Sequence, residues 1–160
     1  MKIAVYAVGR MKAGPEKELA DRYFDRFARS GTAIGLEFSG VSEFPESRAQ
    51  GAAERRREEA QKLQAHIPTG SALVLLDERG KNLSSENFAE RIASFRDGGQ
   101  RSLAFAVGGP DGHDGPLHDA ATLLLSFGSL TWPHQLVRIM LAEQLYRAGT
   151  ILSGHPYHRA

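Results

Sequence analysis

The last residues before the carboxyl terminus, His155-Pro156-Tyr157-His158-Arg159, combine groups that exchange protons with groups that bind anions. An imidazole can accept a proton near neutral pH, and an arginine stays charged and hydrogen-bonds to anionic oxygens. The apolar segment before this tail, residues 136–148, predicts a helix that begins close to Pro133. Chain ends usually fray, so this composition after a buried helix predicts a tail that is docked and used. The local residues alone equally allow an ordinary helix with a polar end.

Three glycine-containing loops are the second place where chemistry could occur. They span residues 77–81, 108–112 and 128–133, and each follows an apolar run typical of a buried strand. Glycine permits a close approach of the backbone to a ligand, and parallel sheets bind ligands beyond the carboxyl ends of their strands. The three loops therefore predict one site at one sheet edge. The middle loop reads Gly-Gly-x-x-Gly, which is not the dinucleotide fingerprint.

The elements that position these loops follow from apolar periodicity. Strands are predicted at residues 3–8, 34–38, 71–76, 103–107 and 123–127, and helices at 15–31, 47–66 and from Ser84 or Ser85 to about Phe95. Strands that alternate with helices predict a single α/β domain over residues 1–160, with a mostly parallel sheet and helices on both faces.

Charged residues outside the loops are predicted to lie at the surface. The run Arg55-Arg56-Arg57 is flanked by glutamates, which favours a solvated helix face over an RNA site. His113 and His118 are five residues apart, a spacing that does not favour one helical face, and we expect both at the surface.

Composition limits the function classes. Hydrophobic content of 41% and charged content of 24% are globular values. The absence of cysteine excludes disulfides and thiolate metal sites, and no metal site is expected. No signal peptide or membrane-spanning run is evident, so a cytoplasmic location is expected.

The net charge of +1 argues against general nucleic-acid binding, which depends on neutralising many phosphates. From Ala120 onward, however, the single acidic residue is Glu143. Glu143 and Arg147 are spaced for an i,i+4 ion pair. A modest basic surface is predicted from the cationic and histidine side chains of this region: Arg138, Arg147, Arg159, His134, His155 and His158.

Five motifs occur in a fixed order: LLDERG at 75–80, VGGPDG at 107–112, LTWPHQLVR at 130–138, AEQLYRA at 142–148 and HPYHR at 155–159. With them, the whole chain closely resembles the bacterial ribosomal RNA large-subunit methyltransferase H family, a minimal branch of the SPOUT superfamily. The resemblance implies methylation, dependent on S-adenosylmethionine, of N3 of a pseudouridine in 23S ribosomal RNA on the assembled ribosome. It also implies a homodimer and a C-terminal trefoil knot.

The resemblance also implies roles for particular residues. The residues expected to bind the cofactor are Leu76, Gly108, Phe127, Gly128, Ser129, Leu130, Thr131 and Trp132. Those expected to act on the RNA base are Tyr157, His158 and Arg159. The chain departs from the family pattern at Asp111, where glutamate is common, at Gly149, where tryptophan is common, and at the small terminal residue Ala160.

Other interpretations remain open at this point. The chain could be a Rossmann-like nucleotide-binding module without catalysis, although Pro110 and Pro116 remove backbone donors that phosphate would need. It could also be a structural ribosome-associated protein, which would leave the loops and the tail without a role. Trp132 could wall an adenine slot or pack in the core.

Overall fold

A five-stranded sheet forms the centre of the computed structural model, which describes residues 1–159. Its strands are β1 Lys2–Val8, β2 Glu37–Phe44, β3 Ala72–Asn82, β4 Ser102–Val107 and β5 Leu123–Ser126. All pairings are parallel and the spatial order is β2-β1-β4-β3-β5. The helices are α1 Pro15–Gly31, α2 Ala52–His66, α3 Ser85–Asp97, α4 Gly115–Ala120 and α5 His134–Leu152. The predicted α/β class and parallel sheet are confirmed. The terminal departure at Ala160 lies outside the described residues.

The helices cover both faces of the sheet, as predicted. On one face α1, α3 and α5 bury a cluster that includes Phe27, Ile92 and Leu141. On the other face α2 and α4 bury a smaller cluster that includes Leu63 and Leu117. Successive side chains of a strand point to opposite faces, so the continuous apolar run of β3 supplies both clusters. No helix within residues 1–159 has the length and apolar character needed to cross a membrane.

Two strands end later than predicted, β2 at Phe44 rather than Phe38 and β3 at Asn82 rather than Leu76. Two other boundaries differ for a visible reason. The second strand begins at Glu37 rather than at Ile34, because residues 32–34 form a 3₁₀ turn closed by Gly35 at φ 75°. α2 begins at Ala52 rather than at Ser47. Ser47 is buried ahead of the helix, where its N–H donates to Glu59 Oε1 at 2.8 Å. That side-chain bond holds the segment out of the helix.

β3 contacts β5 twice. Val74, Leu75 and Leu76 pair with Leu123, Leu124 and Leu125, and after an irregularity Lys81 and Asn82 pair with Leu125 and Ser126. Residues 77–80 therefore form an irregular bulge in the β3–β5 pairing, since Leu76 and Lys81 both pair with Leu125. At this bulge a Cβ on Gly80 would lie 2.7 Å from backbone atoms of Leu124 and Leu125. This double pairing fits the knotted crossing that the family resemblance implies.

Candidate functional site

A cleft of about 340 Å³ lies where β4 and β5 end, beside the irregular part of β3. Residues 77–81, predicted as a loop after the third strand, lie within β3 at this irregularity. The three segments predicted from their glycines line the cleft, so the sheet brings together residues that are more than 50 positions apart in sequence, such as Asp77 and Trp132. Seven of the eight residues expected at a cofactor site line this cleft: Leu76, Gly108, Phe127, Gly128, Leu130, Thr131 and Trp132. Ser129 is exposed and lies outside the lining.

The first and third loops are tied to each other. The Thr131 hydroxyl donates to Glu78 Oε2 at 3.1 Å, and the buried Ser126 hydroxyl lies 3.2 Å from the Glu78 carbonyl oxygen. The third loop leaves two large apolar side chains open to solvent, Leu130 at 67% and Trp132 at 39% exposure. Trp132 is therefore a wall of the cleft and not a core residue.

The second loop is held from outside the sheet by α2. Arg55 makes a two-pronged ion pair with Asp111, with Nε 2.6 Å from Oδ2 and Nη2 3.1 Å from Oδ1. The prediction that the whole run of residues 55–57 is a solvated face is thus wrong for Arg55, although Arg57 is well exposed. No local signal separates the two residues, because the partner of Arg55 is 56 positions away in sequence.

Carboxylates dominate the charge of the cleft. Asp77, Glu78 and Asp111 line it together with a single guanidinium, that of Arg79. Burial acts to raise the pKa of Asp77, but hydrogen bonds from Arg79 and the nearby His118 outweigh it and leave that pKa lowered. The hydrogen bond from Arg55 lowers the pKa of Asp111. Both groups are therefore anionic at neutral pH, and each faces one guanidinium, Asp77 that of Arg79 and Asp111 that of Arg55. With Glu78 the carboxylates still outnumber the guanidiniums by one, so the cleft favours a cationic ligand over an anionic one.

His113 and His118 lie beneath the second loop and not at the surface, so that prediction is wrong. His113 is buried, and its Cε1 lies 3.2 Å from where a Cβ on Gly108 would stand. The two rings are 6.2 Å apart, and His118 Nε2 lies 2.9 Å from Asp77 Oδ2. Burial, followed by the proximity of His118, lowers the pKa of His113 to about 4, so this ring is neutral at pH 7.

The short helix α4 explains why His113 and His118 are not at the predicted surface positions. The Asp114 side chain caps it by accepting from the Leu117 N–H at 2.9 Å, and Leu117 is fully buried. This single turn folds the segment back under the loop. The sequence signal was the Asp114 cap followed by Pro116 at the start of a helix.

The C-terminal tail docks on its own chain. α5 ends in a Schellman motif, in which the His155 N–H donates to the Thr150 carbonyl and the Gly154 N–H to that of Ile151, with Gly154 at φ 68°. This turn sends the tail back along the helix. The Tyr157 ring then lies 4.7 Å from the Tyr146 ring, and its hydroxyl donates to Glu143 Oε1 at 3.2 Å.

Both ring nitrogens of His158 are engaged in the docked tail. Nε2 lies 2.6 Å from Glu86 Oε1, and Nδ1 lies 3.3 Å from Arg147 Nη1. Since the guanidinium can only donate, this network assigns the proton to Nε2. Arg159 is exposed. Tyr157, His158 and Arg159 do not line the cleft of their own chain.

The predicted basic surface loses two of its members. Arg138 is 1% exposed, and its guanidinium donates to the carbonyls of Val8 and Gly9 and to Glu43 Oε1. Arg147 forms the predicted ion pair with Glu143, with Nε 2.9 Å from Oε1. Arg138 therefore locks α5 to the ends of β1 and β2, which is a structural role that the sequence analysis missed.

Comparison with known proteins places the chain in a family. The family described as a predicted SPOUT methyltransferase matches residues 1–158. A protein of Mesorhizobium japonicum named Ribosomal RNA large subunit methyltransferase H is 68% identical over the full length of both chains. A protein of the same name from Brucella anthropi is 62% identical, again over both full lengths.

A solved structure of a putative methyltransferase from Legionella pneumophila, with its cofactor SAM bound, is a more distant likeness. It overlaps 91% of this chain and 65% of that one at 12% identity, with a TM-score of 0.47. The match over almost the whole sequence and the two full-length relatives establish the family on their own. The chain belongs to the SPOUT methyltransferase family.

Proposed function

We propose that this protein transfers the methyl group of S-adenosylmethionine to N3 of a pseudouridine in 23S ribosomal RNA on the assembled ribosome. The observation that carries the proposal is the acidic, glycine-lined cleft, in a chain that is 68% identical over its full length to a protein named Ribosomal RNA large subunit methyltransferase H. We infer that the methyl donor is S-adenosylmethionine, because its charge and its adenine ring suit this cleft.

The charge of the cleft supports this cofactor. S-adenosylmethionine carries a sulfonium and an ammonium against one carboxylate, so it is a cation at neutral pH. Asp77, Glu78 and Asp111 attract such a ligand and repel the phosphates of ATP or NAD. The backbone groups of the glycine loops supply hydrogen bonds to the adenine, and the exposed indole of Trp132 supplies an apolar wall.

The reaction needs a proton to leave the target nitrogen. N3 of the base is an imide N–H at neutral pH, so its lone pair is not free to attack the methyl group. We assign the stabilisation of the resulting anion to Arg159, which is exposed and permanently charged. We assign the proton transfer to His158 and the orientation of the tail to Tyr157. Because His158 Nδ1 faces Arg147, His158 has to leave this contact before it can accept a proton.

We also propose that two copies of the chain form the working unit. A groove of about 530 Å³ between α1, α3 and α5 is lined by Leu19, Phe127 and Met140, and it shares Phe127 and Gly128 with the cleft. A second copy seated on this groove would bring its tail beside the cleft, which the chain's own tail does not reach. Leu136 is 40% exposed and is available for this contact, whereas Leu145 is fully buried in its own chain and is not.

The first test measures cofactor choice. The protein is heated in the presence of S-adenosylmethionine, ATP or NAD, and only a ligand of the folded state raises the unfolding midpoint. We expect a rise with S-adenosylmethionine alone. A rise with ATP or NAD alone would instead support the nucleotide-binding module, and no rise with any of them would support a structural protein.

The second test separates the tail from the cofactor site. His158→Ala and Arg159→Ala are compared with Arg91→Ala, a change at an exposed arginine on α3. Calorimetry should give unchanged cofactor affinity for all three proteins. Ribosome methylation should fall by about a hundredfold or more in the two tail variants, the usual scale for one proton-transfer or anion-stabilising group. Near-normal methylation in both would remove the tail from the mechanism.

A further inference from the structure

α2 holds the second loop, residues 108–112, at two points one helical turn apart. The first point is the Arg55–Asp111 ion pair. The remaining guanidinium nitrogen, Nη1, donates to the carbonyls of Ala49 and Gln50, at 3.0 and 2.9 Å. One side chain thus joins the helix, the segment that precedes it and the loop.

The second point is Glu59. It is 4% exposed, and its Oε1 accepts from the Ser47 N–H. Its Oε2 has no hydrogen-bond partner among residues 1–159 and lies 3.0 Å from where a Cβ on Gly109 would stand. The carboxyl group therefore packs directly on the loop, and a side chain at position 109 would require Glu59 or Val8 to move aside.

The loop needs an external anchor because of its composition. Three of its five residues are glycines, and Gly112 has φ 78°. Glycine gains more conformational freedom than any other residue when a segment loosens. Inside the loop one short turn is closed by the Gly112 N–H and the Gly109 carbonyl, at 3.0 Å. The Arg55–Asp111 pair is the charged contact that fixes the tip of this turn against the helix.

We propose that Arg55 is a positioning residue for the cofactor, holding the second loop in its binding shape through Asp111. The proposal rests on the assignment of the cleft to S-adenosylmethionine. A preformed loop binds a ligand more tightly because it loses less freedom on binding. Removing the anchor therefore weakens binding of the cofactor without changing the chemical step.

The geometry separates this role from general stability. The side chains of Arg55 and Asp111 are 29% and 25% exposed, and partly solvated ion pairs add little to the free energy of unfolding. Removal of the ion pair therefore affects mainly the second loop, because its glycines provide few other restraints on its shape. Arg57 offers a matched control on the same helix, since its side chain is 64% exposed and lies 3.8 Å from Glu54.

The experiment compares Arg55→Gln, Arg57→Gln, Asp111→Asn and the Arg55→Gln/Asp111→Asn double variant. For Arg55→Gln we expect the Kd and the KM for S-adenosylmethionine to rise about tenfold, which corresponds to about 1.4 kcal/mol. We expect kcat at saturating cofactor to stay within about twofold, as for a loss of uniform binding. Arg57→Gln should match the unchanged protein. In the Asp111→Asn background, Arg55→Gln should not raise the Kd for S-adenosylmethionine any further, because the two residues act as one unit.

Amide hydrogen exchange of residues 108–112 without cofactor keeps this inference separate from the proposed function. Arg55→Gln should exchange several-fold faster there than Arg57→Gln, with the rest of the chain unchanged. Equal exchange in the two variants, or equal cofactor affinity, overturns the inference. An independent effect of Arg55→Gln in the double variant overturns it as well. If the unchanged protein binds no S-adenosylmethionine, the proposed function fails, and the exchange rates still decide whether Arg55 positions the loop.

Discussion

Gly80 lies in the bulge between the two paired parts of β3 and β5, and Gly80→Ala tests whether this close contact supports the cleft. The added methyl carbon would lie 2.7 Å from three backbone atoms of Leu124 and Leu125. Overpacking costs about 1–3 kcal/mol where side chains can move aside. Here the obstructing atoms belong to a paired strand, so we expect the upper end of that range. The lower entropy of the unfolded alanine chain returns about 0.4–1 kcal/mol, which leaves a net loss of about 2 kcal/mol.

The assay is thermal and denaturant unfolding of Gly80→Ala beside Gly115→Ala. A loss of this size lowers the midpoint by about 4–8 °C in a chain of this length. The control has nothing within 4 Å of the added carbon and should stay within about 0.5 kcal/mol of the unchanged protein. We also expect weaker cofactor binding, since residues of both β3 and β5 next to this contact line the cleft. Gly80→Ala with an unchanged midpoint would refute the view that close backbone contact requires glycine here.

Three further predictions concern other parts of the molecule. Saturating S-adenosylmethionine should change the fluorescence of Trp132, the only tryptophan of the sequence, and a titration without a saturable change would remove it from the cofactor site. Because the pKa of His113 is lowered to about 4 from 6.5, the folded protein binds fewer protons than the unfolded chain between these values. The stability contributed by this neutral ring, up to about 3 kcal/mol, should therefore be complete above pH 6.5 and lost as pH falls towards 4. In His113→Leu the free energy of unfolding should depend less on pH in this range. Light scattering should report a dimer at micromolar concentration and a shift towards monomer for Leu136→Asp, whereas Leu145→Ala should destabilise the fold itself because its side chain is fully buried.

The fold was largely predictable because its signals are local. The apolar run of β3, the Ser84 cap of α3 and the stop of α1 at Gly31 each act within a few residues. Once strands alternate with helices, the handedness and spacing of βαβ units leave few arrangements. The second and third predicted loops meet at one edge for the same reason, since β4 and β5 both end there, and residues 77–79 reach the same cleft from within β3. The double contact of β3 with β5 has no such local signal, because its second part depends on a partner strand that is distant in sequence rather than on periodicity.

The errors concern polar residues whose partners are distant in sequence. His113 and His118 look like surface residues until α4 folds them under the second loop, beside Asp77. Arg138 looks like part of a basic surface until β1 presents its last carbonyls to it, about 130 residues away in sequence. The type of a charged side chain does not indicate whether it is buried, because burial depends on the partners that the fold supplies.

The charged helix α2 also contains residues that look alike in sequence but differ in their contacts. Within one turn the run holds Arg55, which is bonded to the second loop, and Arg57, whose side chain is well exposed. A triple change of residues 55–57 would mix the anchor with the exposed Arg57 and with Arg56, whose charge also lowers the pKa of Asp111, and would report only their sum. Single changes separate the effects of Arg55 and Arg57, because Arg55 contacts Asp111, 56 positions further along the chain, whereas Arg57 does not. If Arg55→Gln and Arg57→Gln differ in cofactor affinity at equal stability, the difference measures what α2 contributes to the cleft through one contact.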